Sequence, residues 1–234
     1  MNNAGRLPSR RESLSDRYER SPIIRTLVAI IGQAIPVASV ADATLVAKIV
    51  EMREARARAF FDELETQNIV LTDEQVRNDA FLHAYFATMR AALNTRRHEK
   101  IRLFARLFSG YSQSKHVNDV DDYEEMLEIL DDLSIREFQI LLLLHKFETS
   151  APIRQDQNPL QRVLTYWEAF IASVESQFGI PASEIPGVLA RMRRTGLYDN
   201  IYGTYYDYTG DKGCLTPNYA VFLDAVRTNN SETP

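Results

Sequence analysis

Three arginines, Arg191, Arg193 and Arg194, stand close together in the segment LARMRRTGLYDN. A guanidinium is planar and permanently charged, so it can hold a phosphate, a carboxylate or a base edge with paired hydrogen bonds. Lys212 follows in TGDKGC, and Tyr202, Tyr205, Tyr206 and Tyr208 lie between. Tyrosine rings can stack on bases or cover a partner's surface equally well. A second basic group, Arg96, Arg97, Lys100 and Arg102, suits a phosphate or anionic-lipid surface. Pairing with the acidic residues between 119 and 132 is the expected use of this group. All of this is chemistry of recognition.

Signatures of bond-making chemistry do not emerge. The chain has no Gly-rich phosphate loop, no HExxH, no GxSxG and no pair of histidines at metal-ligand spacing. His83 lies beside an apolar stripe without a second ligand near it. The acidic stretch lacks the alternating ligands, central Gly and closing Glu of a calcium loop. Cys214, the single cysteine, could act as a nucleophile only if the fold brought a histidine to it. One cysteine excludes an intramolecular disulfide and fits a reducing, cytoplasmic setting. The expectation is a protein without catalytic residues, metal or small-molecule cofactor.

The elements that must position the arginines and tyrosines follow from local spacing. Asn158-Pro159 opens a helix whose core face holds Leu160, Val163, Leu164, Trp167, Ile171, Val174 and Phe178. Gly179-Ile180-Pro181 turns the chain, and Ser183 is a candidate cap for a second helix. Ile185, Leu189 and Met192 turn its inner face to a core, which leaves Glu184, Gly187, Arg191, Arg194 and Thr195 outward. Gly196 suits a left-handed helix end. Residues 198–208 alternate and are rich in tyrosine, the stretch 209–213 reads as a turn, and Cys214-Leu215-Thr216 reads as the returning strand. Tyr219, Phe222, Leu223 and Val226 mark a closing helix. Helix, turn, helix, hairpin and helix in this order resembles a winged helix-turn-helix.

Upstream the pattern is helical. The chain has 234 residues, a 45% apolar fraction and a net charge of −5, the profile of an ordinary globular protein rather than a general nucleic-acid coat. Residues 1–20 read as a disordered arm and 229–234 as a flexible tail. A mainly α protein is expected, with a helical N-terminal domain over 21–132 and a winged-helix-like domain with one small β-hairpin over 133–228. The helix starting at Ser21-Pro22 is apolar on most sides, which suits a buried position or membrane insertion of residues 21–41. A long helix runs from Asp42 to about Thr66 on a stripe of Leu45, Ile49, Met52, Phe60 and Leu64. Thr72 and Gln75 form a capping box before Leu82, Tyr85, Phe86, Met89 and Leu93. Thr95 is expected to open a helix that stops near Ser109-Gly110. Tyr123, Met126, Leu127, Leu130 and Leu133 give the acidic stretch a helical stripe. Ser134 and Glu137 form a second capping box, before the apolar run Phe138 to Leu144.

The segment 123–226 also resembles the bacterial abortive-infection alpha proteins. KIRLFARL at 100–107 just upstream, the acidic helix, Asp132-Leu133-Ser134 with its leucine run, Arg194-Thr195-Gly196-Leu197 and Leu215-Thr216 bear the likeness. That resemblance implies a role in defence against phage and brings no catalytic residues with it. Residues 151–234 hold seven basic and nine acidic side chains, whereas DNA readers tend to an excess of positive charge. The leading expectation is therefore a module that contacts a protein partner or a second copy. A DNA-binding transcriptional regulator and a membrane-active effector acting through residues 21–41 are the alternatives.

Overall fold

The structure is a computed structural model that describes residues 43–67, 69, 72–113, 120–152, 157–202 and 210–227. The arm 1–20, the segment 21–41, the tail 229–234 and Tyr205, Tyr206 and Tyr208 lie outside the described residues. The described chain is mainly helical with one small two-stranded antiparallel sheet. None of its helices is long and apolar enough to cross a membrane. It forms two compact units, Met1–Ala105 and Arg106–Pro234. The boundary expected at 132/133 falls inside the second unit, where only Leu133 and Ser134 separate two helices.

In the first unit, α1 (Ala43–Thr66) buries Ala57, Phe60, Phe61 and Leu64. Met52, expected on the core stripe, is exposed, and the buried residues named here all lie in the C-terminal half. Thr72 and Gln75 make the expected capping box, but it opens only the short α2 (Asp73–Arg77). Asn78 then takes an extended conformation, and its side chain accepts the Phe81 N–H at 3.0 Å, starting α3 (Asp79–Asn94) afresh. The buried face of α3 is Phe81, Ala84, Tyr85, Thr88, Met89 and Ala92. Phe86 is exposed. Alanines and a threonine on the inner face move the stripe about one position from the one marked by large residues.

Thr95 does not open the next helix. Its N–H closes α3 on the carbonyls of Ala91 and Ala92, and α4 runs from His98 to Gln113 (His98–Gln113) straight through Ser109-Gly110. The division between the units falls inside α4. Gly110 is no helix stop: a Cβ there would lie 3.0 Å from the Ala225 carbonyl oxygen, so the missing side chain admits a close backbone neighbour.

In the second unit, α5 (Val120–Asp132) buries Tyr123, Leu127 and Leu130, and its Tyr123 ring meets Tyr111 at 4.4 Å between centroids. α6 (Ile135–Ser150) begins at the expected capping box: Ser134 Oγ accepts the Glu137 N–H at 3.1 Å, and Glu137 Oε2 accepts the Ser134 N–H at 2.9 Å. Ile140, Leu141 and Leu144 are fully buried. The single helix expected over 159–178 is two, α7 (Pro159–Leu164) and α8 (Trp167–Phe178). Thr165 Oγ1 donates to the Arg162 carbonyl at 2.7 Å as the chain turns. The turn leaves Leu164 53% exposed, not on the core, while Trp167 and Phe170 pack ring to ring.

Gly179 ends α8 at φ 63°. Glu175 Oε1 accepts the Ala182 N–H at 2.8 Å and fixes the turn. Ser183 does not cap α9 (Ile185–Arg193); Glu184 occupies the cap position without a side-chain bond. Gly196 takes φ 71°, the left-handed conformation its place after α9 calls for. β1 (Tyr198–Asn200) pairs antiparallel with β2 (Gly213–Leu215), and α10 (Pro217–Val226) buries Tyr219, Phe222, Leu223 and Val226. Gly213 is required, because a Cβ there would overlap the Tyr198 hydroxyl and the Asp199 carbonyl.

Ser134→Ala should destabilise the protein by about 1 kcal/mol in urea denaturation, and Ser134→Asp should restore most of it. Equal stability of Ser134→Ala and the parent would contradict the capping role.

Candidate functional site

Arg191 and Arg193 of α9, and Arg194 at its C-cap, sit where the helical period puts them. Ile185, Val188, Leu189 and Met192 are buried, and Arg191, Arg193 and Arg194 are exposed. Two of the three are matched by acids of the same unit. Arg191 Nε donates to Glu137 Oε1 at 2.8 Å, with the arginine 56% exposed and the glutamate only 10%. Arg193 Nε pairs with Asp199 Oδ1 of β1 at 2.9 Å, and its guanidinium lies 5.4 Å from the centroid of Tyr202. The Arg194 side chain has no carboxylate or hydrogen-bond partner among the described residues. Lys212 Nζ reaches Asp211 at 3.1 Å.

Of the tyrosines at 202, 205, 206 and 208, the described residues include Tyr202, which is 61% exposed. Its hydroxyl donates to Asp199 Oδ1 at 3.4 Å, so ring, guanidinium and carboxylate form one surface cluster at the end of the hairpin. The second basic group lies in the first unit. Arg96 and Arg97 are exposed ahead of α4, Arg102 Nε reaches the buried Glu63 of α1 at 3.9 Å, and Lys100 lies 5.8 Å from the Phe104 ring centroid.

What positions the hairpin is Glu148 of α6, a residue that belongs to no motif in the sequence. The ladder bonds run from Thr216 N–H to Leu197 C=O and from Ile201 N–H to Lys212 C=O, so the Leu215 N–H points away from β1. Glu148 Oε1 accepts that N–H at 2.9 Å. The Tyr166 hydroxyl approaches the same oxygen at 3.5 Å, and Arg162 Nη2 donates to the Glu148 carbonyl at 2.7 Å. One carboxylate thus closes the open edge of β2 against α6. The sequence does hold a signal for it: Glu137, Leu141, Leu144 and Glu148 fall on one stripe, so an apolar face begins and ends on a charge.

The two glutamates titrate in opposite senses. For Glu137, burial works against the charge, but hydrogen bonds from Arg191 and Ser134, with the Arg191 charge, outweigh it and hold the carboxyl below its usual range. For Glu148, burial dominates and pushes the carboxyl up, against the Leu215 N–H and Arg162. Burial, followed by Glu148 and Asp199, also raises the Cys214 thiol, which is the reverse of what an activated nucleophile needs. Burial and then Arg227 lower His145, whose ring lies 5.4 Å from that of Tyr219. No group of three or more His, Cys, Asp or Glu among the described residues could hold a metal ion. No family model, curated protein or solved structure matches the chain.

A carboxyl raised on folding stabilises fully below its unfolded pKa, and that contribution is lost as pH rises through the folded value. Glu148→Gln keeps an acceptor without a charge, so its stability relative to the parent should increase from acid to neutral pH. Glu148→Ala leaves the Leu215 N–H without an acceptor and should cost about 1–3 kcal/mol. Urea denaturation across that pH range checks both, and a Glu148→Gln difference that is flat with pH would contradict the assignment.

Proposed function

We propose that this is a non-enzymatic binding protein whose helix-turn-helix-hairpin module, winged-helix-like in its element order, holds a protein partner or a second copy of the chain. The observation that supports this best is the pairing of Arg191 with Glu137 and Arg193 with Asp199. A side that grips phosphates needs net positive charge, and each internal ion pair removes one charge from that total. The exposed Tyr202 beside Arg193 is the residue combination over-represented at the energetic centres of protein interfaces. A setting in bacterial defence against phage is part of the proposal and rests on the resemblance to the abortive-infection alpha proteins. The second reading, a DNA-binding regulator, draws on the exposed and unmatched Arg194.

Purified protein should shift no random-sequence DNA duplex at low salt. Its self-association, followed by light scattering, or its hold on a co-purifying partner should weaken about tenfold when Arg193→Ala and Tyr202→Ala are combined, with helical content unchanged. A salt-dependent duplex shift, lost when Arg191, Arg193 and Arg194 are all changed to Glu, would overturn the proposal in favour of the DNA reader.

A further inference from the structure

A groove of about 390 Å³ opens between the start of α6 and α9. Its buried floor includes Ile180 and Val188, and its ionised lining is Arg136, Arg191, Glu137 and Glu184. Arg191 is held there as a preset fork. The Ser134 N–H fixes one oxygen of Glu137 at 2.9 Å, and the other oxygen fixes Arg191 Nε at 2.8 Å. The remaining guanidinium N–H groups, those on the two Nη atoms, have no acceptor among the described residues. Orienting an arginine through Nε lowers the entropy its free end must give up when it takes a carboxylate. Arg136 is exposed on the same groove and has no acid partner among the described residues.

We infer that this groove takes one carboxylate side chain, an Asp or Glu of a partner protein, between Arg191 and Arg136. The inference rests on the protein-contact reading and names the chemistry of what is bound. Two arginines against two glutamates leave the lining neutral, so a carboxylate is held by the local donors of Arg191 and Arg136 and not by a net field. A nucleic-acid strand would bring successive phosphates past Glu184 with no further cation in the lining to meet them. The planar fork also favours a planar carboxylate with two oxygens over a point charge.

The test uses the full chain labelled with 15N and two probes, N-acetyl-glutamate amide and its neutral isostere N-acetyl-glutamine amide. The Arg191 Nε–H signal is expected to shift saturably with the glutamate probe and to stay still with the glutamine probe. Arg191→Lys keeps the charge but loses the fork and, followed at the Glu137 backbone amide, should weaken the glutamate probe about tenfold. Arg136→Ala should weaken it several-fold, and Arg194→Ala should leave it unchanged, with urea denaturation confirming that each variant folds. The inference is overturned by an equal response to both probes, by no saturable response to either, by a larger response at Arg194, or by displacement of the glutamate probe by a duplex oligonucleotide. A partner that is lost on Tyr202→Ala but kept on Arg191→Lys would also remove the groove while leaving the protein-contact reading standing.

Discussion

Two carboxylates at opposite ends of one helix stripe organise the second unit. Glu137 and Glu148 lie about 16 Å apart along α6 at 1.5 Å per residue. Between them Leu141 and Leu144 are fully buried. Glu137 holds α9 through Arg191, and Glu148 holds β2 through the Leu215 N–H. Hydrophobic burial gives α6 its place but does not direct what crosses it. The two charges supply that direction, because a buried carboxylate is costly unless donors converge on it. Each glutamate therefore restricts its surroundings to arrangements that bring a donor.

They meet that demand differently, and the difference divides the unit between surface and interior. Glu137 has a full cation and the Ser134 capping bonds, so its charged form is favoured and stays coupled to the exposed face of α9. Glu148 has a backbone N–H and a tyrosine hydroxyl, which do not offset its burial. Its neighbours on β2 and the α7–α8 turn are shifted by the same burial: Cys214 and Tyr166 both titrate upward. The hairpin root thus belongs to a half-buried polar cluster, while the outer edge of the module is an exposed cluster of Arg193, Asp199 and Tyr202.

Local chemistry was legible in the sequence wherever one residue type performs one task. The capping boxes at Thr72 and Ser134 and the left-handed glycines at 179 and 196 stand where their spacing puts them. Periodicity was less informative where a small residue permits close approach. Ala84, Thr88 and Ala92 turn the inner face of α3 away from Phe86, and Gly110 passes through α4 as a contact rather than a stop. The break at Thr165 was hidden because Leu164 continues the apolar pattern that its backbone abandons. The long-range contacts that tie α9 and β2 to α6 were not legible as pairs. Arg191 meets Glu137 across 54 positions and Leu215 meets Glu148 across 67, separations that local spacing does not encode.

The central claim is that a side chain of α6, and not a further strand, closes the outer edge of the hairpin. Amide hydrogen exchange at Leu215 tests it directly, since an N–H facing away from its partner strand in a two-stranded ribbon has no ladder bond to protect it. Leu215 should be protected in the parent and should lose that protection in Glu148→Ala while the amides of α6 around Leu141 keep theirs. Unprotected exchange at Leu215 in the parent, or protection that survives Glu148→Ala, would contradict the account.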